Sequence, residues 1–321
     1  MISLLLQLLL LLNLIIKSST RYIIASDAGT ESCRSAIFDI TTGKAISSIS
    51  IPYPKGTQYP KPGYAEQDPN DWWYCIGEGC RKIIKDSNIN VNDIKCICVD
   101  TTACSVVVLD NNYNPIRPCL LWMDTRSASQ CIEILEKGKN DEALLVNCNG
   151  KGPLSAEWMI PKALWIKQNE PNIWNNAKYV CEKQDYFNYK LSGEFVASGC
   201  NVGARWNWNA ERCEKGEEGR PISLLSNLNL DDLLEKWPKR CVRMGEKVGV
   251  MTKEAKDHIL GMEADNDIMV IQGGIGYHHH HYYYYYYHHH YYYYYYYYHH
   301  HHHYRSRCIR WYDWPWCDKA R

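Results

Sequence analysis

The stretch Asp27-Ala28-Gly29-Thr30-Glu31-Ser32-Cys33-Arg34 decides how this chain folds, because it lies between two short apolar runs, residues 22–25 and 36–40. An apolar run, a hydroxyl-rich tight turn and a second apolar run make the pattern of two strands joined by a hairpin. Gly29 lets the backbone bend and come close to a ligand. Thr30 and Ser32 add hydroxyl donors to the backbone amides, a concave arrangement suited to phosphate oxygens. Asp27, at the end of the first strand, has the chemistry to hold Mg2+ through water. The same eight residues also suit an ordinary Asp/Gly hairpin turn, so the rest of the chain has to decide.

Working outward, strands are expected at 22–27, 35–40 and 45–52, with Thr42-Gly43-Lys44 turning the second into the third. A polar, Pro-rich loop at 55–70 leads to Asp71, read as the N-cap of a helix reaching residue 86. Strand-like runs at 93–100 and 106–109 are joined by the small polar group Thr101–Ser105. A further run at 118–123 precedes a helix starting near Thr125. Three antiparallel strands followed by alternating helices and strands fit an α/β domain of the ribonuclease H-like, actin-like ATPase type better than a doubly wound nucleotide fold. No G-x-G-x-x-G or G-x-x-x-x-G-K-[ST] occurs in the strand-to-helix context those motifs need. Residues 155–256 form a Trp-rich, mostly helical insertion. It holds an amphipathic helix at 160–168 and shorter ones at 184–191 and 230–236, the last stopped by Pro238. A strand at 267–271 ends in Gln272-Gly273-Gly274.

At 321 residues the chain has room for two domains. Its 36 Lys and Arg balance its 36 Asp and Glu, so the charge points neither to nucleic acid nor to an anionic membrane. Fifteen Cys without a C-x-x-C spacing read as thiols in a reducing compartment, and the expected location is cytoplasmic. Residues 1–20 stand apart. Positions 1–16 are Leu/Ile-rich, broken by Ser3, Gln7 and Asn13 and followed by Lys17. A signal or anchor, sequence upstream of the true start, and a core helix all remain open for that segment. Tyr277–Tyr304 contains only His and Tyr, from which no packed core can be built. A translated simple repeat is the favoured reading and a metal-binding tract the alternative.

Four segments then carry a resemblance. They are Asp27–Arg34; Gly63-Tyr64-Ala65-Glu66-Gln67-Asp68-Pro69 with Trp72 and Trp73; Asp100-Thr101-Thr102-Ala103-Cys104-Ser105; and Leu121-Trp122-Met123-Asp124-Thr125-Arg126. A looser match follows at Gln184-Asp185-Tyr186 through Leu191-Ser192-Gly193, and at Arg205-Trp206. In that order they resemble the FGGY carbohydrate kinases, most closely the ribulokinase-like pentulose-kinase branch. Residues 21–274 would be the FGGY N-terminal kinase domain and 275–321 a low-complexity tract with an out-of-frame tail. The resemblance implies ATP-dependent phosphorylation of a small sugar hydroxyl in a cleft between two actin-like domains, with ATP and Mg2+ as cofactors. A homodimer is compatible with it. It makes Asp27 the metal residue, and Gly29, Thr30, Ser32 and Arg34 the phosphate contacts. It nominates Asp100, Thr101, Ala103, Trp122, Asp124 and Arg205 for the sugar. A polyol wants carboxylate and Arg contacts plus an aromatic face, which agrees in outline. Trp122 as a buried core aromatic, and Asp124 with Arg126 as a surface pair, remain the plain alternatives. Glycerol kinases carry an Arg and Glu where this chain has Ala103 and Cys104, which argues against glycerol.

The pattern breaks at its end. The family's catalytic base is an Asp shortly after the Gly-Gly pair, and Gly276 stands where it is expected; glycine has no side chain to accept a proton. The second actin-like domain is expected to be missing from this chain. Read one base later, the codons for Trp311–Trp316 yield a Gly-Met-Ile-Gly-x-Gly type of string like the one the family carries directly after the Gly-Gly pair. A longer parent protein with the base is therefore expected, and this form would be inactive. The competing readings are a non-catalytic sugar-binding or regulatory fragment, and a membrane-tethered or metal-binding module built from the two unusual ends.

Overall fold

The computed structural model describes residues 21–148, 154–209, 212 and 217–275. The apolar segment 1–20, Gly276, the His/Tyr tract and the tail lie outside the described residues. The chain divides into a unit ending at His278, which holds everything described, and a second unit from His279 to Arg321, which lies outside them.

The sheet at the centre grows from the opening hairpin. β1 (Tyr22–Ala28) and β2 (Ser32–Asp39) pair antiparallel, and β3 (Ala45–Pro52) extends them. β4 (Glu66–Gln67) belongs elsewhere, whereas β5 (Ile94–Thr101) runs parallel to β1 on its other side. Beyond it lie β12 (Met269–Ile275), parallel to β5, and β11 (Lys247–Val250), antiparallel to β12. The order β11-β12-β5-β1-β2-β3, with three antiparallel strands and two more parallel to the first, is the ribonuclease H-like sheet of actin-like proteins. A second sheet, β4-β7-β6-β8, is antiparallel throughout and contains β6 (Val106–Leu109), β7 (Cys119–Leu120) and β8 (Tyr179–Glu182). β9 (Ala197–Ser198) and β10 (Cys241–Val242) form a short parallel pair.

Helix Pro69–Ser87 starts earlier than the sequence suggests. Asp68 caps it, accepting from Asn70 N, because Pro69 is suited to the first helical position; Asp71 falls in the first turn instead. Trp72, Ile76, Cys80, Ile83 and Ile84 recur at helical spacing and are buried with Ile24, Ile37, Ile97 and Val99 of the sheet. Each such Ile or Val contributes about 1.5–3 kcal/mol on burial. Helices Lys183–Ser192 and Lys253–Leu260 close the same core.

A second core combines part of the Trp-rich stretch with elements ahead of it, while the helices at 183–192 and 253–260 and strand β11, from the same stretch, belong to the first core and sheet. Helices Ala128–Lys137, Met159–Asn169, Pro171–Asn176, Gly199–Arg205, Ile222–Asn227 and Leu233–Lys236 surround β6, and Trp206 lies 5.0 Å from Trp237 between ring centroids. Helix Met159–Asn169 is not amphipathic as expected: every residue from Met159 to Ile166 is buried, Lys162 included. The run at 118–123 keeps only two residues in the ladder, because Asp124 N turns back to Leu121 O. The next helix begins at Ala128 rather than Thr125, after the turn in which Ala128 N reaches Thr125 O. Helix Leu233–Lys236 starts three residues late, after turns in which Leu233 N reaches Leu230 O and Leu234 N reaches Asp231 O. Conversely β12 carries Gln272, Gly273 and Gly274 inside the strand instead of after it.

Candidate active site

Open α/β sheets bind ligands outside the carboxyl ends of their parallel strands, and here three such ends converge. Asp27 is in register with Asp100, Ala28 with Thr101, and Ile275 of β12 with Thr101. Asp27 Oδ2 accepts from Arg34 Nη1 at 2.9 Å, so the expected metal residue and one expected phosphate contact pair with each other. Asp100 Oδ1 accepts from Gly274 N at 2.7 Å. Burial pushes the Asp100 carboxyl up to about 7; the Gly274 bond opposes this and the Asp27 charge adds to it. Mg2+ takes oxygen ligands and keeps several waters. Two adjacent carboxylates are a donor set of that kind, and a cation between them would relieve their repulsion. Among the described residues no group of three or more His, Cys, Asp or Glu converges as a metal cage.

The hairpin turn is fixed from behind. Gly29 N reaches Ser32 O at 3.0 Å, which puts Ser32 in β2, where its hydroxyl accepts from Ser50 at 3.2 Å. Gly29 O accepts from Tyr53 Oη and from Lys183 Nζ, both at 2.9 Å. Lys183 is fully buried, with its ammonium 4.3 Å from the Trp72 ring centre. Burial lowers its pKa to about 8 against the pull of the Cys119, Cys33, Asp27 and Cys75 side chains. Thr30 O accepts from Gln67 Nε2 at 2.6 Å, and Thr30 Oγ1 accepts from Trp122 Nε1 at 3.1 Å.

That last bond joins the phosphate turn to the loop nominated for the sugar. Trp122 is 36% exposed, so it is not a core aromatic. Asp124 departs from expectation in the opposite direction. It is fully buried, and Oδ2 accepts from Ala65 N and Arg126 Nη2, both at 2.7 Å, while Oδ1 accepts from Arg126 N at 3.1 Å. The Arg126 side chain is itself buried, reaches Glu66 at 2.8 Å and lies 3.7 Å from the Tyr64 ring centre. Burial works against the Arg126 charge, but Asp124 and Glu66 outweigh it and raise its pKa. The pair is thus interior, not superficial, and the Asp124 carboxylate ties its loop to the Ala65 amide.

The other sugar loop follows β5. Thr101, Thr102 and Ser105 are buried, and among the described residues their hydroxyls have no hydrogen-bond partner. Cys104, beside Ala103, sits at φ 62°; its N–H donates to Glu182 Oε2 at 2.7 Å and its carbonyl accepts from Lys162 Nζ at 2.6 Å. Burial raises the Glu182 pKa, opposed by Trp206 Nε1, the Cys104 amide, Lys162 and Arg205. Arg205 closes helix Gly199–Arg205, its guanidinium 5.7 Å from the Trp158 ring centre. Sequence reasoning overlooked Lys162, Glu182 and Lys183. A lone Lys inside the apolar run 159–166 was a signal for the first, and the Glu-x-x-Asp spacing of Glu182 and Asp185 a weaker one for the second.

The sheet order defines an actin-like α/β domain. Residues 22–214 match the N-terminal domain of the FGGY family of carbohydrate kinases, and the chain belongs to that family. It is 28% identical over 256 residues to a xylulose kinase of Staphylococcus xylosus, covering 79% of this chain and 48% of the relative. It is 27% identical over 265 residues to a ribulokinase of Staphylococcus epidermidis, covering 76% and 48%. The xylulose kinase of Rhodospirillum rubrum superposes with a TM-score of 0.63 at 22% identity, over 79% of this chain and 48% of that one. The glycerol kinase of Plasmodium falciparum superposes at 0.65 and 17% identity, over 80% and 48%. The chain spans about half the length of the curated relatives it matches.

Proposed function

We propose that this chain supplies the sugar- and phosphate-facing half of an ATP-dependent pentulose kinase. The observation that carries the reading is the Trp122 Nε1 bond to Thr30 Oγ1, which fixes an exposed aromatic face beside the hairpin turn. A phosphoryl donor on the turn and a sugar against that face would have reacting atoms in adjacent positions. Phosphoryl transfer asks the protein for alignment and charge neutralisation more than for covalent chemistry. Asp27 and Asp100 are the residues to hold Mg2+, whose chemistry is to neutralise phosphate charge. Gly29, Thr30 and Arg34 are the contacts for the phosphates. Ala103, Trp122, Arg205 and the buried hydroxyls of Thr101, Thr102 and Ser105 are those for the polyol. Asp124 acts by holding Trp122 in place. Relatives named xylulose kinase and ribulokinase favour a pentulose without choosing between the two. No helix among the described residues is long and apolar enough to cross a membrane.

Titrating the full chain with D-ribulose, D-xylulose, L-ribulose and glycerol in a calorimeter tests the sugar reading. Saturable binding of a pentulose and none of glycerol is expected, and heat from none of the four would overturn it. Gly276 supports a second reading, a sugar binder that does not turn over, because that position offers no carboxylate base. ADP release should be absent from this chain with Mg·ATP and the bound pentulose. It should appear in a form carrying Asp at 276 and a second actin-like domain. Trp122→Ala should weaken pentulose binding on the order of tenfold, the worth of one stacked aromatic face and its anchor. Trp122→Phe keeps the face and should lose less. Equal affinity of the Ala variant and the wild-type chain would remove Trp122 from the site.

A further inference from the structure

Two buried side chains of opposite sign grip the loops nominated for the sugar, and among the described residues no ion pair joins them. Lys162 Nζ donates to Cys104 O and to Leu121 O, both at 2.6 Å, so one ammonium ties the 101–105 loop to the 121–126 loop. Glu182 Oε2 takes the Cys104 N–H at 2.7 Å, and Oε1 takes the Trp206 indole N–H at 2.6 Å. Cys104 is thus held through its amide and its carbonyl, in a left-handed conformation (φ 62°) uncommon for a residue other than glycine. Ala103 precedes it and Trp122 follows Leu121, so both nominated contacts are one residue from an anchored peptide.

These charges are expensive for what they do locally. Both side chains are fully buried; burial lowers the Lys162 pKa and raises that of Glu182. Apolar residues of similar volume often fill such space at no loss of stability, or with a gain. What an apolar residue cannot do is fix the distance between two backbone carbonyls on different loops. We propose that Lys162 and Glu182 are positioning residues that set the gap between the two loops, and through it which pentulose epimer the site prefers. The inference rests on the sugar reading above. An epimer differs only in where one hydroxyl points, and a site built to hydrogen-bond that hydroxyl discriminates through small displacements of its own polar groups.

The test is calorimetric titration of the full chain with D-ribulose and D-xylulose, for the wild type and for Lys162→Met and Glu182→Gln. Wild type should favour one epimer. Lys162→Met should weaken that epimer about tenfold, the worth of a charge-assisted hydrogen bond, and bring the ratio of the two affinities toward one. A residue that only stabilises the fold would leave the ratio unchanged, because the folded fraction multiplies both affinities alike. Glu182→Gln, which keeps its volume and one acceptor, reads the other grip on Cys104 should Lys162→Met not fold, and the same change of ratio is expected. An unchanged ratio in a folded variant overturns the proposal, as does equal wild-type affinity for the two sugars. If the wild-type chain binds neither pentulose, the sugar reading itself fails and takes the inference with it.

Discussion

Asp124→Ala is expected to destabilise the fold by about 3–5 kcal/mol, the cost of breaking a buried ion pair by removing one partner. The Asp124 side chain is 0% and that of Arg126 1% exposed, so water cannot replace what is lost. The substitution leaves the Ala65 amide without its acceptor and the Arg126 guanidinium with Glu66 as its remaining carboxylate. Glu66 is already shared, because Arg117 reaches it at 3.0 Å. A guanidinium is too basic to shed its charge. The strain should therefore pass to Tyr64 and to the loop that carries Trp122. Asp124→Asn keeps the shape and one acceptor and should cost less than the alanine change. Urea unfolding decides the matter through the shift in midpoint at constant slope. A loss below about 1 kcal/mol, the range of exposed pairs, would mean that the pair is superficial after all.

The same pair illustrates what the sequence could and could not reveal. The resemblance nominates Asp124 for the sugar, with a surface pair to Arg126 as the alternative, and a buried pair is not among the readings. Tyr64 and Ala65 are brought to them by the antiparallel pairing of β4 with β7, and Trp165 by helix Met159–Asn169. Trp122 poses the converse problem. The resemblance nominates it for the sugar, but an aromatic between Leu121 and Met123 suits a core position equally well, and its outward setting depends on a hydroxyl 92 residues away in sequence. Lys162 and Lys183 reach carbonyls 41 to 154 positions distant, and no local spacing announces a donor of that kind. The sheet was legible because its signals are local. Apolar runs mark β1 and β2, and a glycine-bearing turn joins them. The first long helix was legible in its existence but not in its start, which Asp68 and Pro69 set three residues ahead of Asp71, and three strands ahead of that helix already imply the ribonuclease H-like order. The strand-end carboxylates were legible for the same reason, since Asp27 and Asp100 each end an apolar run. Site residues that act through tertiary contact were not.

Gly273→Ala is expected to cost about 3 kcal/mol, the upper end of what overpacking does in a well-packed core. The glycine is not required by its backbone angles, since its φ is not in the left-handed region; it is required by a close approach. A β-carbon there would collide with the Val99 carbonyl oxygen and lie 2.6 Å from the Val99 carbonyl carbon and 2.7 Å from Asp100 Oδ1. A flexible side chain could swing aside, but the nearest two are backbone atoms and the third is a carboxylate oxygen held by the Gly274 amide. Val99 and Asp100 cannot retreat, because β5 is clamped between β1, in register at Ser26 and Asp27, and β12, in register at Gln272. The strand must therefore part from its neighbour, and Gly274 N is carried away from Asp100. The effect should be larger than that of Gly245→Ala, where φ is 84° but nothing lies within 4 Å of the added carbon, and where the cost is backbone strain of about 1 kcal/mol. Urea midpoints of the two variants, measured side by side, separate close approach from conformational need. A Gly273→Ala protein as stable as Gly245→Ala would show that β12 can stand further from β5, and would loosen the argument that Asp100 is held at the strand end by the Gly274 amide.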